Sequence, residues 1–328
     1  MRVALVGSGY WGSNHARVLG ELRKEGRISE LIVCDTDPAR AAEQAKRVGG
    51  IAETDPRRLV GRVDAVDLCT PTPTHFPLAK MFLEGGADVF VEKPLAGTSK
   101  ESAELVALAG RKGRILQVGH IFRYHAGVNE IRRRIQAGLL GRVHYMVSNR
   151  QSFREPRVDM GVLQALAVHE VDLFPYLLGV GPERIYASLG SFHRPGIEEV
   201  AQLILDFPGG TKAYSFESWL SPLGARERKL TVVGSLQSVE LDYLVPGQLR
   251  VSDSRLEEKA GKLVAVEDKP RMEAVPASEP LRVELEAFLD SHRTRGQPLA
   301  DAACGHEAVR MIEAAFLSAR EGRAVALP

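Results

Sequence analysis

The sequence predicts an α/β protein with two domains: a doubly wound parallel sheet, followed by an α/β domain with a large, mostly antiparallel open sheet. Three observations support this fold class. A buried strand, a glycine-rich turn and a helix open the chain at residues 3–15. Apolar strands then alternate with amphipathic helices, which is typical of parallel βαβ units. From residue 142 apolar and polar residues alternate instead, which is typical of antiparallel strands.

Composition sets limits on the function. The 328 residues carry 43 basic and 42 acidic side chains, a formal charge of +1, so no broad field favours nucleic acid or an anionic membrane. Cys34, Cys69 and Cys304 are too few and too widely spaced for a zinc site or a disulfide framework, and we predict no metal. The N-terminus reads as a strand rather than an export signal, which favours a reducing cytoplasm.

The first turn carries the GxGxxG pattern at Gly7, Gly9 and Gly12. The first glycine permits a tight turn, the second lets a pyrophosphate approach the backbone, and the third allows close packing of helix on strand. The following helix presents its positive N-terminus to the phosphates. Its predicted inward side carries His15, Val18, Leu19 and Leu22. The predicted cofactor contacts here are Gly7, Ser8, Gly9, Tyr10, Trp11 and Gly12.

The second strand, LIVCD, ends in Asp35 about twenty residues after the glycines, as the dinucleotide-binding (Rossmann) pattern requires. A carboxylate there accepts hydrogen bonds from ribose hydroxyls and repels a 2′-phosphate, so the sequence predicts NAD as cofactor. Asp37 is expected to cap the helix that begins at Pro38.

Two later strands end in candidate site residues. The connection CTPTPTHFP at residues 69–77 is either a proline-stiffened turn or, in addition, a cofactor contact. The next strand runs into Glu92, Lys93 and Pro94 at the same carboxyl edge, where ligands bind in open α/β sheets. We therefore expect Lys93 to face the nicotinamide. The further predicted cofactor contacts are Thr70, Pro71, Thr72, His75, Glu92 and Lys93.

The predicted domains are residues 1–120 and 121–328, with the C-terminal helices free to pack back on the first domain. Six alternating runs form the second sheet. Between the first two runs, a helical segment over 159–179 carries Ala165, His169 and Asp172 on one face. Residues 251–280 are expected to form an extended hairpin or arm.

The stretches GSGYWGSNH, CTPTPTHFP, VFVEKPLAG, VGHIFRY and ALAVHEVDLFPYLLG together resemble the glucose-fructose oxidoreductase, inositol dehydrogenase and rhizopine-catabolism protein family. The resemblance implies a Rossmann domain, a C-terminal α/β domain whose open sheet often makes the oligomer contact, and hydride transfer to or from a sugar or polyol. It is greatest for nucleotide-sugar dehydrogenases that oxidise the 3-hydroxyl of UDP-N-acetylhexosamines or their uronates. A homodimer or homotetramer is the implied assembly.

The resemblance also implies catalytic roles. Lys93 would hydrogen-bond the reacting hydroxyl and His169 would exchange its proton. Considered alone, His169 is a core histidine bonded to a carbonyl. The family commonly has an aspartate four residues before this histidine, where this chain has Ala165. Either another carboxylate such as Asp172 replaces it, or Lys93 and His169 suffice, or the activity is weak or lost. A surface or interdomain salt bridge is an equally good interpretation of Asp172. Glu170 lies on the wrong side of the helix to replace the missing carboxylate.

Arginines near the second-domain opening are candidates for a substrate diphosphate. Arg123, Arg154 and Arg157 are available for it. Tyr124 is either a proton donor or an aromatic packed at the domain junction. The predicted substrate contacts are Arg123, Tyr124, Arg157 and His169.

The leading hypothesis is an NAD-dependent dehydrogenase acting on a sugar or nucleotide sugar. Because of Ala165, the alternative is a non-catalytic NAD-binding sensor or assembly subunit. A nucleic-acid-binding regulator is disfavoured by the near-neutral charge.

Overall fold

The computed structural model describes residues 1–222 and 226–327. The chain divides into two compact units: Met1–Tyr124 with Glu279–Arg310, and His125–Ser278 with Met311–Pro328. The predicted boundary after residue 120 lies close to the first division. Across the described ranges, every helix is too short or too polar to cross a membrane.

The first unit contains a six-stranded sheet in which every neighbouring pair is parallel, in the order β3-β2-β1-β4-β5-β6. Its strands are β1 (Arg2–Val6), β2 (Glu30–Cys34), β3 (Ile51–Glu53), β4 (Ala65–Leu68), β5 (Asp88–Val91) and β6 (Leu116–Val118). The predicted doubly wound sheet is thus confirmed, with its switch point between β1 and β4. The sequence did not predict β3, since its three residues are exposed or half-buried and form no apolar run.

Helices cover both faces of this sheet. They are α1 (Tyr10–Lys24), α2 (Pro38–Val48), α3 (His75–Glu84), α4 (Ser99–Lys112) and, from the C-terminal part of the chain, α7 (Pro280–Thr294). The side chains of β1 alternate between two apolar cores: Val3 and Leu5 face one, Ala4 and Val6 the other. The Asp37 side chain accepts hydrogen bonds from two N–H groups at the start of α2, so the predicted cap is confirmed.

The second unit is built on a nine-stranded sheet in the order β16-β13-β12-β11-β7-β10-β9-β8-β17. Its strands are β7 (Val143–Gln151), β8 (Arg184–Gly190), β9 (Val200–Asp206), β10 (Lys212–Ser218), β11 (Glu227–Gly234), β12 (Ser238–Asp242), β13 (Gln248–Ser252), β16 (Arg271–Ala274) and β17 (Val325–Ala326). A separate hairpin joins β14 (Arg255–Lys259) to β15 (Lys262–Val266) within the predicted arm. The pairs are antiparallel except β7 with β10, so the mostly antiparallel sheet is confirmed.

The remaining helices are α5 (Ala126–Gln136), α6 (Val168–Leu178) and α8 (Ala302–Glu321), and α8 contains the second division between the units. Short 3₁₀ turns lie at Pro56–Leu59, Thr72–Thr74, Ile121–Tyr124 and Pro208–Gly210.

The predicted helix over 159–179 is partly wrong. Regular helix starts at Leu163, and its first stretch, Leu163–Ala167, is π-helical before α6 continues as an α-helix. A π-helix closes i to i+5 bonds and therefore has a wider turn. In an ideal α-helix, Ala165 and His169 would lie on the same face, one turn apart. Because the π-helical turn is wider, Ala165 is offset from that face. The 3.6-residue spacing of apolar residues in a sequence does not distinguish a π-helical segment from an α-helical one.

A buried ion pair joins α6 to the second sheet. Glu170 pairs with Arg150 of β7, and the Ser148 hydroxyl lies 3.0 Å from the same carboxylate. Glu217 of β10 is aligned with Arg150 in the parallel register and is fully buried. Burial raises the pKa of Glu217 well above its ordinary value, and the charge of Glu170 raises it further. The shift favours the neutral form of Glu217, and Arg150 is paired instead with Glu170.

This assignment predicts opposite sensitivities for two buried carboxyls. Glu170→Gln should lower the free energy of unfolding by about 3–5 kcal/mol, because Arg150 would remain buried without a counter-charge. Glu217→Gln should cost about 1 kcal/mol or less, because it replaces one neutral polar group by another. Urea unfolding at pH 7 measures both. Equal losses for the two variants would contradict the assignment.

Candidate active site

The glycine loop of the first unit leaves room for a ligand at one position and for no side chain at two others. A Cβ on Gly7, whose φ is +90°, would lie 2.6 Å from the Cys69 carbonyl oxygen. A Cβ on Gly12 would lie 2.0 Å from the Gly7 carbonyl oxygen. Around Gly9, the N-cap of α1, the space within 4 Å is open. The loop thus packs tightly against the protein at Gly7 and Gly12 and leaves open space at Gly9, as close approach of a pyrophosphate requires.

Asp35 holds this loop from the end of β2. Its Oδ2 accepts hydrogen bonds from the Ser8 N–H at 2.8 Å and the Ser8 hydroxyl at 2.9 Å, and its Oδ1 accepts from the Asp37 N–H at 3.0 Å. Burial by itself raises the pKa of Asp35, but these hydrogen bonds outweigh it and the pKa lies below its ordinary value. The carboxylate is therefore charged at neutral pH, as recognition of a ribose diol requires.

His75 connects the two loops that follow β4 and β5. Its ring is buried, with Nδ1 2.7 Å from the Pro94 carbonyl oxygen and Nε2 2.8 Å from that of Thr70. Burial lowers the pKa of His75 below its ordinary value. We therefore assign His75 to positioning these loops rather than to the predicted cofactor contact, because its ring faces protein carbonyls. Pro71 is exposed and Thr72 half-buried, so these two stay predicted contacts.

Glu92 also faces the protein interior. The Trp11 indole N–H donates to its Oε1 at 2.7 Å, and the Lys93 N–H donates to its Oε2 at 3.1 Å. The carboxylate is thus engaged within the first unit, and its contact with the cofactor stays a prediction. Trp11 and Tyr10 are exposed at the start of α1, and Lys93 is half-buried directly after β5.

Sequence reasoning missed Asp67 altogether. It lies within β4, is fully buried, and places Oδ2 2.8 Å from His15 Nδ1. The available signal was an acidic residue inside the otherwise apolar strand AVDL, since a buried carboxylate requires a partner.

In the second unit, α6 carries the predicted catalytic pair. His169 is half-buried and Asp172, 4% exposed, lies one turn later. Its burial excludes a surface salt bridge for Asp172 but not the interdomain one. Glu170 pairs with Arg150, so it is unable to replace the carboxylate that Ala165 lacks.

The second-unit arginines lie in the exposed segment after β7. Arg157 forms an ion pair with Asp159, Nη2 to Oδ2 2.6 Å, and the Arg154 guanidinium lies 5.6 Å from the Trp219 ring centroid. Both groups remain at the surface. An anionic ligand would therefore have to compete with Asp159 for Arg157.

Arg123 and Tyr124 belong to the first unit. The Arg123 Nη1 donates to the Leu299 carbonyl oxygen at 3.0 Å, and the buried Tyr124 hydroxyl accepts from the Ala300 N–H at 3.3 Å. Burial, then the charge of Glu284, raises the pKa of Tyr124 above its ordinary value. This geometry favours the packing alternative for Tyr124 over the proton donor.

Comparison with known proteins gives a match to both domains of one family. Residues 1–120 match the family model described as an oxidoreductase family with an NAD-binding Rossmann fold, and residues 128–240 match the GFO/IDH/MocA C-terminal domain.

Among curated relatives, UDP-N-acetylglucosamine 3-dehydrogenase of Acidithiobacillus ferrooxidans is 33% identical over 189 residues, 57% of each chain. The chain thus aligns with little more than half the length of that relative. Inositol 2-dehydrogenase 1 of Saccharopolyspora erythraea is 28% identical over 99% of this chain and 96% of the relative.

Two solved structures show the same fold over the full length. The A. ferrooxidans UDP-N-acetylglucosamine 3-dehydrogenase superposes with a TM-score of 0.84 at 23% identity, covering 98% of both chains. Levoglucosan dehydrogenase in complex with NADH gives a TM-score of 0.86 at 20% identity, covering 100% of this chain and 99% of the other.

The open space at Gly9 predicts a variant that folds normally but loses its cofactor. Gly9→Ala should keep the wild-type melting temperature and weaken NAD binding at least about tenfold, because its Cβ would enter the space that a pyrophosphate needs. Gly12→Ala should lose both stability and binding, since its Cβ overlaps Gly7. Gly110→Ala, at another open position in α4, is the matched control and should bind normally. Calorimetric titration with NAD and thermal melts measure these effects. Unchanged affinity in Gly9→Ala would contradict the assignment.

Proposed function

This chain belongs to the GFO/IDH/MocA oxidoreductase family, and on that premise we propose that it is an NAD-dependent dehydrogenase acting on a secondary hydroxyl of a sugar, nucleotide sugar or polyol. The observation that carries the proposal is the glycine loop, open at Gly9 and held by a charged Asp35. The named relatives support the substrate range, because they include a UDP-N-acetylglucosamine 3-dehydrogenase and several inositol 2-dehydrogenases.

Oxidation of a secondary alcohol requires a hydride acceptor and a base for the hydroxyl proton. Bound NAD supplies the acceptor. We assign Lys93 to hydrogen-bond the reacting hydroxyl and His169 to receive its proton, since lysine and histidine are residue types whose pKa the surroundings can bring near neutrality. The backbone of Lys93 is held by its N–H bond to Glu92. His169 lies just beyond a π-helical segment, a distortion that is frequent at functional sites.

Asp172 is the carboxylate that we assign to the place left by Ala165. It lies one helical turn after His169 and is buried. In this position a charged carboxylate would favour the protonated form of a nearby histidine. A nucleotide-sugar substrate would in addition require cations, and Arg123 and Arg157 are the candidates.

The open face of the second sheet is the proposed oligomer contact, in a homodimer or homotetramer. Aromatic and β-branched side chains occupy neighbouring outward positions, with Tyr186 paired to Ile204, Ile204 to Tyr214, and Tyr214 to Val147. Tyr145 contacts Tyr214 edge-on, ring centroids 6.5 Å apart. An apolar row of this kind on a sheet face typically marks an interaction surface.

We place the reaction in the cytoplasm. The three cysteines are free thiols in the structure, and thiols persist in reducing compartments.

Ala165 favours one alternative, a non-catalytic NAD-binding sensor or assembly subunit. Such a protein would bind the cofactor tightly without hydride transfer. Both functions require the same glycine loop, and they differ only in whether hydride transfer occurs after the cofactor has bound.

Turnover decides between them. We expect purified protein with NAD to generate NADH absorbance on at least one member of a panel of UDP-hexosamines, uronates, free sugars and inositols. Lys93→Ala and His169→Ala should each lose at least about 100-fold in kcat with NAD affinity within about threefold. Lys112→Ala and His144→Ala, at exposed positions, are the matched controls. Activity in both active-site variants would refute the catalytic assignment.

Restoring the family carboxylate gives a second test. If Asp172 already replaces it, Ala165→Asp should leave kcat within about threefold or lower it, because a second buried carboxylate adds repulsion. A gain of about tenfold or more would mean that the carboxylate is missing rather than replaced. Steady-state kinetics on the best panel substrate measure the change, and Ala165→Asn separates charge from size.

A further inference from the structure

His15 is a fully buried histidine between two carboxylates in the first unit. It lies on the cofactor helix α1, one turn beyond Gly12. Its Nδ1 is 2.8 Å from Asp67 Oδ2, and its Nε2 is 3.3 Å from Glu92 Oε1. The two carboxylates come from different places in the sheet: Asp67 lies within β4 and Glu92 follows β5.

His15 Nδ1 is hydrogen-bonded to Asp67, and Nε2 lies at ion-pair distance from Glu92. The imidazolium form carries an N–H on both ring nitrogens. The charges agree with this form. Burial lowers the pKa of His15, but the charge of Asp67 and the hydrogen bond to Asp67 raise it above its ordinary value. Burial raises the pKa of Glu92, yet its contacts with His15 bring it below its ordinary value. The directions of both shifts favour a protonated His15 beside an ionised Glu92.

The remaining neighbours of His15 add no competing charge. The Cys69 thiol donates to Asp67 Oδ1 at 3.4 Å, and burial raises its pKa, so it stays neutral. The rings of Phe90 and Trp11 pack edge-on against the imidazole, with centroids 5.6 and 5.8 Å away. The charged groups that face His15 are therefore Asp67 and Glu92.

Glu92 is held on every side. Its Oε1 accepts a hydrogen bond from the Trp11 indole N–H and lies 3.3 Å from His15 Nε2. Its Oε2 accepts from the Lys93 N–H, and a Cβ on Gly119 would lie 2.6 Å from Oε1. The carboxylate that precedes Lys93 is therefore fixed to the helix that carries the glycine loop.

We propose that His15 is a positioning residue for Lys93: by binding Asp67 and Glu92 together, it fixes the backbone of Lys93 relative to the glycine loop. The proposal rests on the proposed function, in which Lys93 meets the reacting hydroxyl. Stability alone is a poor reason for such a group, because buried ion pairs commonly contribute little compared with apolar residues of equal volume. Misplacing a reacting group by about 1 Å, in contrast, can cost about 100-fold in rate.

The kinetic test uses His15→Gln, Glu92→Gln and a matched control. His292→Gln removes a comparable histidine–carboxylate contact, Nδ1 to Asp88 Oδ2 2.7 Å, at the opposite end of β5. We expect kcat to fall about 10- to 100-fold in His15→Gln and Glu92→Gln, with NAD affinity within about threefold. The double variant should be no slower than either single variant, since both act through Glu92. Unchanged kcat in His15→Gln, or an equal loss in His292→Gln, would overturn the proposal.

A second readout needs no turnover. Reductive ¹³C-methylation labels lysine amines for NMR, and Lys93→Arg identifies the Lys93 signal by its loss. That signal should move in His15→Gln and stay in place in His292→Gln. A Lys93 signal that His15→Gln leaves unchanged would overturn the proposal. If the wild type turns over no substrate while the signal moves, the proposed function fails and the positioning stands.

The pH dependence of stability gives the sign of the His15 charge. Its folded pKa is raised above the unfolded value of about 6.5, so its stabilisation is complete below that pH and is lost as the pH rises through the folded pKa. Glu92, whose pKa is lowered, stays ionised over this range. The free energy of unfolding should therefore fall more steeply above about pH 6.5 in the wild type than in His15→Gln. Parallel curves would show that the imidazole is neutral and would overturn the ion triad.

Discussion

The close approach of the glycine loop to the end of β4 is the contact on which the first unit depends. Gly7 and Gly12 leave no room for a Cβ because backbone carbonyls of the loop and of Cys69 occupy that space. This packing sets where α1 starts and aims its N-terminus outward. It also brings His15, one turn later, to the level of Asp67. One steric constraint thus places both the phosphate-binding N–H groups and a buried charge.

In both units, buried charged side chains are paired with side chains of opposite charge. In the first unit His15 bridges Asp67 and Glu92, and in the second unit Arg150 meets Glu170. Each arrangement pairs opposite charges, as burial requires. Each also lies next in sequence to a residue with a proposed catalytic role, because Glu92 precedes Lys93 and Glu170 follows His169. A paired charge next to a proposed catalytic residue restricts the backbone there, and the rate of a reaction is sensitive to small displacements of the reacting groups.

The sequence predicted the features that local patterns encode. Alternating strands and helices gave the parallel sheet, and the glycine spacing gave the loop whose packing Gly7 and Gly12 show. Apolar spacing placed His15 on the inner side of α1 but gave no hint of its ionic partners, which come from distant parts of the chain. The π-helical turn at Leu163–Ala167 and the parallel pairing of β7 with β10 were also missed, since both depend on tertiary packing.

On this protein, we propose, hydride passes from a carbon-bound hydrogen of the substrate to NAD. Substrates deuterated at the oxidised carbon, UDP-N-acetylglucosamine at C3 and myo-inositol at C2, test it directly when the cofactor is analysed by mass spectrometry after incubation. We expect reduced cofactor that carries the substrate deuterium for at least one member of a panel of deuterated sugars, nucleotide sugars and polyols. NAD that binds tightly yet stays oxidised with every deuterated substrate of that panel would contradict it.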